Sequence, residues 1–300
     1  MCCQEEPACP CGEGPGRQER TPEQIRERHG GGTEQPCEQR ATVPAAEQAG
    51  GARRGQMADR APVLLAVLAH PDDEVFRCGG TLALLARRGV EVHLLTATRG
   101  EAGSRGDPPL CAPEELPALR ERELRCACAA LGIEPPRLLE YRDGALAGVD
   151  EDEAVGQVLA AIVELLPQAL LTWPPGGLSG HADHVAVSRW TARAFERAAA
   201  LGAEAPAAVY YPAVPRSVAR ALGLAHLQAV PDNEVTLAVD VMPVWALKMA
   251  AIGCHRTQAG ESPILQAPAE RQRLFLGREH FCRAQARRPH DVLLDLREER

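Results

Sequence analysis

The seven-residue run Val63-Leu64-Leu65-Ala66-Val67-Leu68-Ala69 constrains this chain more than any other stretch. It offers no polar position on either alternation, so as a strand it must be covered on both faces, the condition found inside a parallel sheet. It ends in His70-Pro71-Asp72-Asp73-Glu74. Proline lacks the N–H that a central ladder needs, so the strand stops there. Gly79-Gly80-Thr81 then opens an amphipathic run to Arg88, Gly89 ends it, and Val90 to Ala97 reads as a second strand. Strand, helix, strand in such a short span is a βαβ unit, whose crossover is nearly always right-handed.

The alternation continues down the chain. A helix is predicted over about 114–131, a strand over 137–141, a helix near 152–166 and a strand over 168–173. After Pro174-Pro175-Gly176-Gly177 comes His181-Ala182-Asp183-His184 and a helix to about Leu201. Strands at 207–211 and 235–241, a helix over 243–252 and a last helix near 269–282 complete the reading. The pattern predicts an α/β fold, a Rossmann-like, doubly wound and mostly parallel sheet with helices on both faces. In such sheets ligands bind beyond the carboxyl ends of the strands. His70, Gly100-Glu101, Asp143 and His181 all follow predicted strands, so they should meet on that rim.

Composition bounds the rest. Residues 1–56 contain no Leu, Phe, Trp or Tyr and are dense in Gly, Pro, Glu, Gln and Arg. They cannot bury enough apolar surface to offset the chain entropy lost on folding and are expected to be disordered. The globular domain is expected over 57–300, with Met57 as the expected true start of translation. Nine Glu and seven Arg give the tail a charge of −2, so −6 of the total −8 lies in the domain. That balance argues against nucleic acid and provides no polybasic membrane patch. No apolar run reaches the roughly 18 residues of a membrane span, and no signal peptide opens the chain, so a cytoplasmic protein is expected. Its eleven cysteines are then expected as thiols. Cys126 and Cys128 should point to different faces of one helix, as buried small hydrophobes.

Two clusters carry chemistry. In the first, two adjacent carboxylates follow His70 by two and three residues, and such an acidic turn is costly unless a cation or proton neutralises it. A helix N-cap accounts for one Asp there, but not for a His with two. In the second, His181 and His184 stand three apart at a helix entry and share nearly one face. Catalytic zinc commonly takes three protein ligands and leaves a position for water. His70, one of the two Asp residues and a distant His make such a set. The other Asp is then free to take the water's proton.

On these residues the segment from Val63 to about Gln258 resembles the PIG-L/LmbE-like zinc-dependent de-N-acetylases. His70-Pro71-Asp72-Asp73-Glu74 matches the family's first motif, and His181-Ala182-Asp183-His184 is similar to its second. The resemblance implies that His70, Asp73 and His184 hold zinc, with Fe2+ as a possible substitute. It further implies that Asp72 is the general base and that a protonated His181 polarises the amide carbonyl and steadies the oxyanion. It implies sugar contacts from Glu101, Arg120 (with Glu123) and Asp143. Lys248 to Gln258 is similar to the family's C-terminal stretch, which implies that His255 lines the pocket. The implied partner is a small N-acetylglucosamine-type conjugate, hydrolysed to acetate and a free amine. Two departures stand out: Ala182 where the family usually has Pro, and Ser179 where some members have Tyr. The alternatives are an amidase acting on a larger thiol-sugar conjugate and a non-catalytic sugar-binding module of the same fold. A dinucleotide site is disfavoured, because no G-x-G-x-x-G follows the first strand.

Overall fold

The computed structural model describes residues 60–296; the expectations placed on residues 1–56 lie outside them. Strands β1 (Val63–Leu68), β2 (Glu91–Thr98), β3 (Arg137–Tyr141), β4 (Ala169–Leu171), β5 (Ala208–Ala213), β6 (Leu237–Asp240) and β7 (Arg278–Ala284) form one sheet in the order β3-β2-β1-β4-β5-β7-β6. The first five are parallel, and β7 runs antiparallel to both β5 and β6. The sheet is therefore mostly parallel, and the fold is α/β.

The all-apolar character of β1 has a direct structural cause. Successive side chains of a strand point to opposite faces. Leu64, Ala66 and Leu68 enter one core with helices α1 (Asp73–Arg77), α2 (Gly79–Arg87), α3 (Leu116–Leu131) and α7 (Trp245–Cys254). Val63, Leu65 and Val67 enter the other with α4 (Glu151–Leu165) and α5 (Ala182–Arg197). Full burial of each Val or Leu contributes about 1.5–3 kcal/mol, so the strand is a seam joining two cores. Two further helices, α6 (Arg216–Leu222) and α8 (Ala269–Leu276), contact each other, and α8 also contacts β7. Among the described residues no helix is long and apolar enough to cross a membrane.

Two expectations are corrected. The last helix does not run to residue 282: it stops at Leu276, and residues 278–284 form β7. Gly277 ends the helix, Phe281 is fully buried, and β7 closes the free edge of β5, where an unpaired strand would expose its backbone groups. The cysteines are not all thiols. Cys126 on α3 is joined by a disulfide to Cys254 at the end of α7, 128 residues away. The two faces of α3 do differ: Cys128 is buried and free, whereas Cys126 is exposed. Its partner comes from a distant helix packed alongside, a pairing that no local spacing could signal.

The chain leaves β1 toward β2 on one side, while β4 lies against β1 on the other. This is the point where strand order reverses, and the loops leaving β1 and β4 splay apart there to form a crevice.

Candidate active site

The loop after β1 folds around Asp73. One carboxylate oxygen, Oδ2, accepts the backbone N–H groups of Ala69 (3.0 Å) and His70 (2.9 Å) and the indole N–H of Trp173 (3.1 Å). Oδ1 is thereby left to face His184 Nε2 at 3.4 Å. The next carboxylate back, Asp72, sits in a left-handed backbone conformation with φ 110°. His70 turns its Nε2 toward Asp143 Oδ1 (3.1 Å) and Asp183 Oδ2 (3.2 Å). Carboxylates only accept, so Nε2 carries a proton and donates, and Nδ1 is the nitrogen turned toward His184.

The loop after β4 brings the second histidine. His184 Nδ1 lies 3.1 Å from the carbonyl of Gly177, which makes Nδ1 a donor and turns Nε2 toward His70 and Asp73. Gly177 has φ +67°, and a Cβ there would meet His184 Cβ at 3.0 Å, so glycine is what lets the turn approach the ring. Trp173, at the end of β4, stacks its ring on His184 with centroids 4.2 Å apart. Asp183 is wholly buried and ties the loops together, accepting from Gly144 N (2.7 Å) and Leu146 N (3.1 Å) as well as from His70.

The ring nitrogens His70 Nδ1 and His184 Nε2 thus face each other 3.3 Å apart, with Asp73 oxygens 3.7 and 3.4 Å from them. Bonds of about 2.0–2.2 Å to a tetrahedral zinc would separate its ligands by about 3.3–3.5 Å. The spacing and the chemistry of the donor set therefore fit a divalent ion, and these three residues can hold one. The electrostatics agree. Burial alone would lower the proton affinity of His70, but Asp143, Asp183 and Asp73 outweigh it and push the ring up to about 10. Burial would raise Asp73, yet His184 and His70 hold it well below the usual carboxylate range. His184 is raised because Asp73 overrides its burial. The site calls for positive charge.

Asp72 stands beside this trio. Burial, reinforced by Asp73, raises its carboxyl to about 7 against the opposing pull of Arg120. Arg120 is buried on α3, lies 3.4 Å from Asp72 Oδ2 and donates to Gly100 O (2.7 Å) and Pro71 O. Gly100 and Gly103 make room for its guanidinium, which a Cβ at either position would strike at 2.2 and 2.4 Å. Beyond lies a cleft of about 250 Å³ lined by His70, Asp72, Arg120, Asp143, His181 and Gln258, with Ala102, Gly103 and Gly144.

The residues expected to touch sugar divide. Arg120 and Asp143 reach the cleft, but each already holds protein: Arg120 grips the β1 loop, and Asp143 is bonded to His70 and to Ala102 N at 2.9 Å. Glu101 does not line the cleft; its Oε1 accepts from Asp143 N at 2.9 Å. His255 is fully buried behind the wall and pairs with Glu74 at 2.6 Å. His181 is exposed in the cleft, but its Nδ1 accepts the backbone N–H of Asp183 at 3.2 Å as the cap of α5. Its proton affinity is lowered by burial and by the neighbouring His184 and His70. With Nδ1 accepting, Nε2 is the ring nitrogen that can present an N–H to the cleft. Ser179 and Ala182 are exposed, and neither lines the cleft.

Sequence reasoning passed over Trp173, Asp183 and Glu74. Each left a signal: a Trp at a strand's carboxyl end, and carboxylates inside both motifs.

Known proteins supply the comparison. The model of the family described as GlcNAc-PI de-N-acetylase, PIG-L, matches residues 65–195. A 1D-myo-inositol 2-acetamido-2-deoxy-alpha-D-glucopyranoside deacetylase of Salinispora arenicola is 33% identical over 74% of this chain and 84% of its own length. Among solved structures, an N,N'-diacetylchitobiose deacetylase of Pyrococcus horikoshii aligns with a TM-score of 0.57 at 18% identity, covering 81% of this chain and 94% of that one. A 4-carboxy-2-hydroxymuconate hydratase of Pseudomonas putida KT2440 aligns equally well, with a TM-score of 0.57 at 20% identity, covering 77% and 99%. At such identities the two structures speak to fold alone, and their different chemistries show why function must be argued from the site.

Proposed function

The chain belongs to the GlcNAc-PI de-N-acetylase family, and from that premise we propose that it hydrolyses the acetamide of an N-acetylglucosamine conjugate, using zinc held by His70, Asp73 and His184. One observation carries the reading. Three donors with ion-sized spacing stand beside a fourth side chain, Asp72, at the edge of an open cleft. We assign the activity to a single domain over 57–300.

A divalent ion in that trio supplies a Lewis acid for the amide carbonyl and lowers the pKa of water to about 7. The residues of the chain do the rest. Asp72, raised to about 7 and so able both to take and to give a proton near neutrality, takes the proton from the attacking water and hands it to the departing amine. His181 donates its Nε2–H to the carbonyl oxygen as that oxygen becomes anionic. Asp143 and Asp183 fix the His70 tautomer, and Gly177 fixes that of His184, as partners of metal-binding histidines commonly do.

The cleft is small beside typical ligand sites of about 300–1,000 Å³, which suits one sugar ring with its aglycone toward solvent. The names of the relatives make an inositol conjugate the first substrate to try. The test is acetate and primary-amine release by purified, zinc-loaded protein from N-acetylglucosaminyl-inositol, free N-acetylglucosamine and diacetylchitobiose. Turnover of at least one, abolished in Asp73→Ala, supports the proposal, and no turnover of any sinks it.

A further inference from the structure

The peptide unit between Pro71 and Asp72 is held at both polar ends. Its carbonyl oxygen accepts from Arg120, and its N–H donates to Glu74 Oε2 at 3.0 Å. The unit is thus fixed in plane, and Asp72 is left at φ 110°, ψ −23°. A non-glycine residue in so sparsely populated a region costs on the order of 1–3 kcal/mol and persists only where its surroundings over-determine it.

The surroundings can be traced. Glu74 is completely buried, and its second oxygen, Oε1, faces His255 Nε2 at 2.6 Å, 181 residues further along the chain. His255 is also completely buried, and its Nδ1 has no partner among the described residues, so its one polar tie is to Glu74. The segment carrying it is fastened to α3 on both sides. Cys254 is bonded to Cys126, and Thr257 gives Glu123 both its N–H (2.9 Å) and its hydroxyl (2.6 Å). The helix that grips the Pro71 carbonyl through Arg120 therefore also anchors the histidine that braces Glu74.

We infer that Glu74 and His255 are positioning residues that lock Asp72 in its left-handed conformation. Two consecutive carboxylates on a regular turn would compete for one cation. The reversed turn separates them: Asp73 Oδ1 faces His184, and Asp72 Oδ2 faces Arg120 and the cleft. Glu74 spends both oxygens on this bracing and has none left for an ion. The inference rests on the reading of Asp72 as the base.

The experiment compares zinc-loaded wild type with His255→Leu, which removes the donor to Glu74, and His255→Gln, which keeps an N–H donor. Bound metal, kcat and KM for acetate release, and the crystal structure of each variant are measured. In His255→Leu, kcat should fall about 10–100-fold, the range found when partners of site residues are removed. KM and the zinc-to-protein ratio should be unchanged, and Asp72 should leave positive φ. His255→Gln should recover most of kcat. Wild-type kcat in both variants, loss of zinc in step with activity, or an effect on KM alone would each overturn the inference. If His255→Leu does not fold, a full loss of kcat in well-folded His255→Gln counts against it too. If the wild type binds zinc yet releases no acetate, the deacetylase reading fails, and the Asp72 backbone alone decides the positioning role.

Discussion

At the scale of residues, neighbouring carboxylates with the same chemistry have been given different work by their surroundings. Asp73 accepts three N–H groups on one oxygen, whereas Asp72 accepts none of them and is held by a guanidinium. Asp72→Asn should therefore keep its zinc and lose roughly 10²–10⁴ in kcat, the usual contribution of a positioned base. Metal analysis beside steady-state kinetics checks it; a fully active Asp72→Asn would remove the base from the mechanism. A second residue makes a pH prediction far from the chemistry. Burial first, and then Arg77 and Arg278, lower the His280 ring to about 4, below the roughly 6.5 of an unfolded chain. Between those values the unfolded state binds the extra proton. The stability from neutral His280 is therefore complete above about pH 6.5 and is lost as pH falls toward 4. His280→Gln should lose less Tm than wild type between pH 7 and pH 4.5, read by thermal melts at both pH values. Equal losses would show that His280 does not sense acid.

At the scale of elements, what could be read from sequence follows periodicity. β1, β2 and β3 and helices α2 to α5 lie within a few residues of their expected bounds, because each has a full apolar face or a clear terminator such as Gly89 or Gly132. The 269–282 segment misled because its apolar residues are few and its strand is defined by a partner, β5, more than sixty residues earlier. The disulfide between α3 and α7 was hidden for the same reason. Closing a loop of that length restricts the unfolded chain by up to about 5 kcal/mol in the entropy model, with about 2–4 kcal/mol typical of measured cases. Cys254→Ser should accordingly lower Tm by about 5–15 °C, since each kcal/mol shifts a domain of this size by roughly 2–4 °C. Calorimetry of wild type with and without dithiothreitol checks it; superimposable melts would mean that the bond contributes nothing.

At the scale of the whole molecule, the site arises from the order of the strands. The loops that carry His70 and His184 leave adjacent parallel strands at the one place where successive connections diverge, so the fold class was enough to say on which rim the histidines should meet. It was not enough to say what Arg120, Glu101, Asp143 and His255 touch. Those side chains bond to other loops, and their partners are set by tertiary packing that one-dimensional spacing does not record. The metal-holding geometry also links binding to stability across the domain. An ion that binds only the folded form, present at about a hundred times its Kd, stabilises by about 2.7 kcal/mol. Dialysis against a chelator should therefore lower Tm by about 5–10 °C, and added zinc should restore both melting temperature and turnover. An unshifted melt in a protein shown to have lost its metal would refute that coupling.

The separation of His70 from His184 by 114 positions has a further consequence. A ribosome must finish four strands and begin α5 before the last donor emerges, so a growing chain lacks the complete donor set for a divalent ion until most of its sheet exists. Under the proposed metal assignment the ion is acquired late in biogenesis, and any fragment ending before residue 184 should pass through a metal-affinity column unretained by this trio.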